Sequence, residues 1–147
     1  MKYIKGKNYQ VTEDVIVTLP FRVPTCSVAG GMVKIQEGQR ITAIKSSTVT
    51  ILGISKGWTW DGASFFLFKW FGTPERWIAP SLYHDALYEP IRKGIIGREY
   101  REPIDKMFRD KLIERGVSKW EAQIAYWCIR VGGNFAVRHW PKEDEVI

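Results

Sequence analysis

The stretch Pro80-Ser81-Leu82-Tyr83-His84-Asp85-Ala86-Leu87-Tyr88-Glu89-Pro90 decides how the rest of the chain is read. It holds one of only two histidines. Pro80 suits the first turn of a helix, where its missing amide is no loss. The residue before Pro90 avoids helical geometry, so the helix is expected to stop there. His84, Asp85 and Tyr88 then sit inside a short helix of about 9 or 10 residues. Tyr88 lies one turn beyond His84 on the same face, while Asp85 points about 100° around the axis.

Working outward, a second helix is expected from Pro103 to Arg115, with Gly116 as its C-terminal stop. Ile104, Phe108 and Leu112 give it an apolar stripe at helical spacing. Asp105 falls on that stripe, where a carboxylate is costly to bury without a partner. His84 is the obvious partner. A carboxylate that accepts from one imidazole nitrogen fixes the tautomer and leaves the other nitrogen as a base. A water-activating hydrolase needs that arrangement. The same pair also reads as a purely structural contact between two helices. Asp85 cannot share the partner of His84, so it is expected to be free for a cation. Asp61, in the preceding Gly-containing loop, would join it. Hard oxygen ligands of this kind suit calcium or magnesium, and a cation there would polarise a carbonyl.

A third helix is announced by Ser118 and Glu121, a capping box. Trp120, Ile124, Trp127, Cys128, Val131 and Phe135 are expected to form its buried stripe. Gly132-Gly133 suggests a kink or the close approach of another element.

Upstream of the helices the sequence reads as β. Residues 11–19 are rich in β-branched side chains and stop at Pro20. Pro24 and Gly30-Gly31 mark 20–32 as turns. Short strands are expected near 32–36, 40–45 and 48–54, with Gly38 and Ser46-Ser47 as the turns between them. Between the β and helical parts lies an aromatic run, Phe65-Phe66-Leu67-Phe68-Lys69-Trp70-Phe71. It is either core, which a domain with seven tryptophans has to fill, or a surface for a lipid interface. Thr73-Pro74-Glu75 reads as a cap with proline at the first helical position.

Bulk properties narrow the classes. With 147 residues, 45% of them hydrophobic, the chain suits one folded domain and excludes a disordered one. No apolar run reaches the roughly 20 residues of a membrane span. The first seven residues carry charge with no apolar stretch behind them, so no signal peptide is expected. The net charge of +6 is interleaved with acids, which disfavours nucleic acid as the partner. Cys26 and Cys128 form no CxxC pair. Cys26 among turn residues has nothing to lower its pKa, so a cysteine nucleophile is disfavoured. His139 reads as surface and the 141–147 tail as loosely held.

Two resemblances rest on these motifs. Gly57-Trp58-Thr59-Trp60-Asp61-Gly62-Ala63-Ser64, His84-Asp85-Ala86-Leu87-Tyr88 and Asp105-Lys106-Met107-Phe108 follow one another in order. Together they resemble a family of phage and prophage proteins filed as domain of unknown function 1353, over roughly residues 54–137. That resemblance implies a phage or prophage origin and no particular activity. The second is more distant: His-Asp-x-x-Tyr on one helix and an Asp on a facing helix is similar to phospholipase A2. By that likeness His84 is the base that activates water, Asp85 a calcium ligand, and Asp105 with Tyr88 the support that orients His84. The disulfides typical of that superfamily are absent, and Trp60-Asp61-Gly62-Ala63 stands in place of its Gly-rich calcium loop.

The expected fold is therefore α+β: a small N-terminal antiparallel β-meander followed by three helices, two of them an antiparallel pair carrying His84 and Asp105. The chain is expected to be a single domain over 1–147, mainly β in 1–60, an aromatic loop in 61–72 and helical in 73–140. Two functions fit. One is a virion-associated structural or interaction protein, in the virion or host cytoplasm, meeting other phage proteins or itself. The other is a calcium-assisted, phospholipase A2-like ester hydrolase with His84, Asp105 and Tyr88 as its catalytic group and Asp85 and Asp61 on the metal. For the second, Phe65, Phe66, Phe68, Trp70 and Phe71 offer a lipid interface.

Overall fold

The computed structural model describes residues 3–5, 9–60 and 75–139. Asp61, the 65–71 aromatic run, the Thr73-Pro74 cap and the 141–147 tail lie outside the described residues. The chain divides into two compact units, Met1–Thr59 and Trp60–Ile147. An N-terminal β part followed by three helices makes the fold α+β, as the sequence predicts.

The β part holds two sheets. β1 (Tyr3–Lys5), β2 (Tyr9–Val11) and β7 (Thr59–Trp60) form one, in that order. The other has the order β3 (Val15–Leu19), β6 (Ser46–Ile54), β5 (Val33–Ile41), β4 (Cys26–Val28), antiparallel throughout. β4, β5 and β6 form a meander, in which β5 merges the strands expected near 32–36 and 40–45, and β3 flanks β6, which gives a Greek-key order. Val15 and Val33 both face Ile54 in register, and Ile35 faces Leu52. All five are buried on the core face, as the two-residue period of a strand requires. Each such side chain contributes about 1.5–3 kcal/mol.

Four boundaries differ from expectation. Residues 11–19 are not one strand, because the chain bends at Thr12 and Glu13. Asp14 Oδ1 accepts the Lys56 amide at 2.8 Å, a side-chain bond that competes with the ladder and separates β2 from β3. The 20–32 segment contains a strand, β4, paired to β5 with Cys26 opposite Ile35. Gly38 is not a turn but an interior residue of β5. The end of the Ile51 side chain lies where its Cβ would be, so any other residue there would push that side chain aside. The hairpin turns instead at Thr42–Lys45, where Thr42 Oγ1 donates to the Lys45 carbonyl at 2.9 Å. Ser46 and Ser47 open β6.

The helical part consists of α1 (Glu75–Arg92), α2 (Arg101–Glu114), entered through a 3-10 turn at Arg98–Tyr100, and α3 (Lys119–His139). Among the described residues no helix is long and apolar enough to cross a membrane. The short helix expected between Pro80 and Pro90 is in fact 18 residues long and contains both prolines. Pro80 removes the amide that would bond the Arg76 carbonyl four residues back. Arg115 Nε donates to that carbonyl instead, at 3.2 Å, while Arg76 returns a bond to the Gly116 carbonyl at 3.0 Å. Pro90 falls in the last turn, and its carbonyl receives the Ile95 amide at 2.9 Å. Gly94, at φ 72°, allows that C-terminal closure. Burial of eleven of the 18 residues of α1 outweighs the local preference to break.

α2 ends in the same motif, at the glycine the sequence marks. Gly116 has φ 92°, its amide bonds the Ile113 carbonyl at 3.0 Å, and the Val117 amide bonds the Leu112 carbonyl at 3.0 Å. Leu112 and Val117 then meet in a core with Trp77, Phe108, Ala122, Ala125 and Ile129. That core corrects the expectation for α3. Its inward face is Ala122, Ala125, Tyr126 and Ile129, and Cys128 is half-buried. Trp120, Ile124, Trp127 and Val131 are 71%, 45%, 60% and 75% exposed. Two apolar stripes run along this helix, and the one that packs on Phe108 and Leu112 of α2 is the one with the alanines. Among the described residues nothing lies within 4 Å of the place a Cβ would take at Gly132.

Candidate functional site

Asp105 is the centre of the site. It faces inward from α2 beside Ile104 and Phe108, and none of its surface is exposed. A carboxylate so placed requires donors from every side. His84 Nε2 on α1 lies 2.7 Å from Oδ1, and the Tyr88 hydroxyl donates to the same oxygen at 2.5 Å. Arg130 on α3 donates to Oδ2 at 2.9 Å. All three helices therefore contribute to satisfying one side chain. Such charge-assisted bonds are about twice as strong as neutral ones.

The electrostatics fix the protonation pattern. Burial alone would raise the pKa of Asp105, but hydrogen bonds and charge from His84, with further bonds from Tyr88 and Arg130, hold it below its ordinary value. The carboxylate is thus ionised and can only accept. His84 must then donate through Nε2–H, which leaves the lone pair on Nδ1. Nδ1 has no partner among the described residues, and the His84 side chain is 14% exposed. Burial, followed by the charge and hydrogen bond of Asp105, pushes the Tyr88 phenol well above its ordinary value, while the Arg101 guanidinium pulls the other way. Tyr88 remains a neutral donor.

Aromatic packing holds the imidazole plane. The ring centroids of His84 and Tyr88 are 4.2 Å apart, and Phe108 meets His84 edge-on at 5.3 Å. Behind Phe108 stands Trp77, at 5.9 Å. Trp60 Nε1 donates to Ser81 Oγ at 3.1 Å, which itself donates to the Ile78 carbonyl, so the turn of α1 before His84 is pinned as well.

The structure thus brings His84, Tyr88 and Asp105 together, as their spacing predicts. It treats Asp85 differently. Asp85 is not left free for a cation: Arg92 NH2 donates to its Oδ1 at 2.9 Å, and Arg92 NH1 donates to Glu89 at 3.0 Å. Calcium takes six to eight oxygens at about 2.3–2.6 Å. Among the described residues no three His, Cys, Asp or Glu side chains converge to hold a metal, and Asp85 meets a guanidinium. Asp85 as placed is engaged by a cationic side chain, Arg92. Asp61, the other expected ligand, is not among the described residues.

Four functional candidates escape a reading of the sequence: Arg130, Arg101, Glu89 and Arg92. Arg101 is 7% exposed and donates to the Arg130 carbonyl at 3.0 Å, which ties the start of α2 to the turn of α3 that carries Arg130. The signal for Arg130 was its place beside Ile129, at the edge of the inward face of α3. The signal for Arg92 was its spacing of seven and three from Asp85 and Glu89. Cys26 and Cys128 are both free thiols, and burial pushes the Cys26 pKa up, contrary to what an activated nucleophile needs.

No curated protein and no solved structure matches this chain. A family model does match, over residues 37–129, from the middle of β5 to the turn of α3 just before Arg130. That span covers well over half of the chain and takes in His84, Tyr88, Arg101 and Asp105. The chain therefore belongs to the family described as protein of unknown function (DUF1353).

Proposed function

We propose that this chain is an ester hydrolase of phage or prophage origin in which His84 is the general base. The observation that carries the reading is the bond from His84 Nε2 to the buried Asp105, shared with Tyr88, which leaves Nδ1 as the basic nitrogen. Nδ1 takes a proton from a water molecule as its oxygen attacks the ester carbonyl carbon. The resulting imidazolium lies against Asp105, whose negative charge stabilises it. The proton then passes to the departing alkoxide, so the products are a carboxylic acid and an alcohol and His84 is restored. Asp105 and Tyr88 act as positioning residues through His84.

The test is ester release from mixed phospholipid vesicles, in calcium and in chelator, by the wild type and by His84→Ala. Loss of about 10²–10⁴-fold in His84→Ala is expected. Folded wild-type protein that releases nothing in either condition would sink the reading.

One observation favours a second reading, a virion-associated structural or interaction protein. Trp120, Ile124, Trp127 and Val131 present an exposed apolar stripe about three turns long. On this reading the chain co-purifies with phage particles, Trp120→Ser with Trp127→Ser releases it, and His84→Ala leaves it bound. Absence from purified particles would dismiss it.

A further inference from the structure

Asp85, Glu89 and Arg92 recur at four and seven residues along α1, which puts all three on one face. Two carboxylates four residues apart repel one another. The planar fork of a guanidinium can satisfy both at once, which the single ammonium of lysine does less well. Arg92 does so here: its two terminal nitrogens reach Asp85 at 2.9 Å and Glu89 at 3.0 Å. The three side chains are only 14–21% exposed, so this is not a solvated surface pair.

Arg92 is also linked to His84 through the Tyr88 ring. Its Cζ lies 5.9 Å from the centre of the Tyr88 ring, and that ring is 4.2 Å from the ring of His84. Burial acts against the charge of Arg92, but Asp85 and then Glu89 more than offset it. A second positive ion brought to Asp85 would meet this fixed charge at contact distance. To bind there it would have to displace a half-buried arginine from two carboxylates.

We propose that Arg92 occupies the place a divalent cation would take beside His84, so that Asp85 is a partner of arginine and not a metal ligand. The site then works with a fixed organic cation and without calcium. This deepens the hydrolase reading by naming its charge balance, but the exclusion of metal holds whether or not the site turns over an ester.

The experiment is thermal unfolding of the full chain in millimolar calcium and in chelator, with tryptophan-sensitised terbium emission as a second readout. The proteins are the wild type, Arg92→Met, Arg92→Gln and the double variant Arg92→Met with Asp85→Asn. The wild-type midpoint should be the same in both conditions, with no terbium signal. Arg92→Met should melt lower and recover about 2–4 °C in calcium, with terbium emission. Adding Asp85→Asn should abolish both responses. Arg92→Gln keeps hydrogen-bonding capacity without charge and should bind terbium even if Arg92→Met folds poorly. Calcium stabilisation of the wild type would overturn the proposal. So would indifference to both ions in the Arg92 variants, since the bared carboxylates should then attract a cation. Ester release is not read, so an inactive but metal-excluding protein leaves this inference intact while the hydrolase reading fails.

Discussion

Asp105 and Asp85 are both helix carboxylates held by arginine, yet they occupy opposite regimes. Asp105 is sealed between three helices, with donors from His84, Tyr88 and Arg130. Asp85 is 20% exposed, and the partner described for it, Arg92, comes from its own helix seven residues on and is shared with Glu89. The first network costs desolvation and returns a fixed imidazole. The second neutralises a face of one helix and could form in that helix alone. Burial of the partners decides what each carboxylate does: one orients the His84 imidazole, the other anchors the Arg92 guanidinium.

The largest effect that would test this contrast is Asp105→Ala. It leaves Arg130, His84 and Tyr88 facing an apolar cavity without their acceptor. A loss of about 3–5 kcal/mol is expected in urea unfolding. A loss below about 1 kcal/mol would mean that the knot reorganises and that Asp105 is not the keystone.

Acid should act in the same direction with a smaller amplitude. The pKa of Asp105 is lower in the folded chain than in the unfolded one. The unfolded state therefore binds more protons in that range, and stability falls as the pH is lowered. The contribution is complete above the unfolded value of about 3.9 and disappears as the pH drops through the lower folded value. In Asp105→Asn this part of the acid limb should flatten. An unchanged limb would place the acid sensitivity elsewhere.

Asp85→Asn should do least. The amide oxygen still accepts from Arg92, and Glu89 remains to hold its charge, so the cost should stay below about 1 kcal/mol. A loss comparable with that of Asp105→Ala would erase the distinction between the two carboxylates.

What the sequence determined by itself was local and periodic. The order of a β part and three helices, Gly116 as the end of α2, Ser118 as the cap of α3 and Asp105 among Ile104, Phe108 and Leu112 all follow from patterns a few residues long. The likeness of spacing even brought His84, Tyr88 and Asp105 together, because an isolated acid on an apolar stripe demands a donor and few were available. Tertiary structure decided the rest. Two prolines fit inside α1, since Arg115 supplies the donor missing at one and the helix ends two residues after the other. α3 turns its alanines inward and leaves its tryptophans outside, because close packing on α2 needs small side chains and periodicity counts only apolarity. Arg130 joins Asp105 from 25 residues away, and Arg92 claims Asp85 from within its own helix. Which of several charges meets a given carboxylate depends on the surface left after the helices have packed, and that surface is not written in any short stretch of chain.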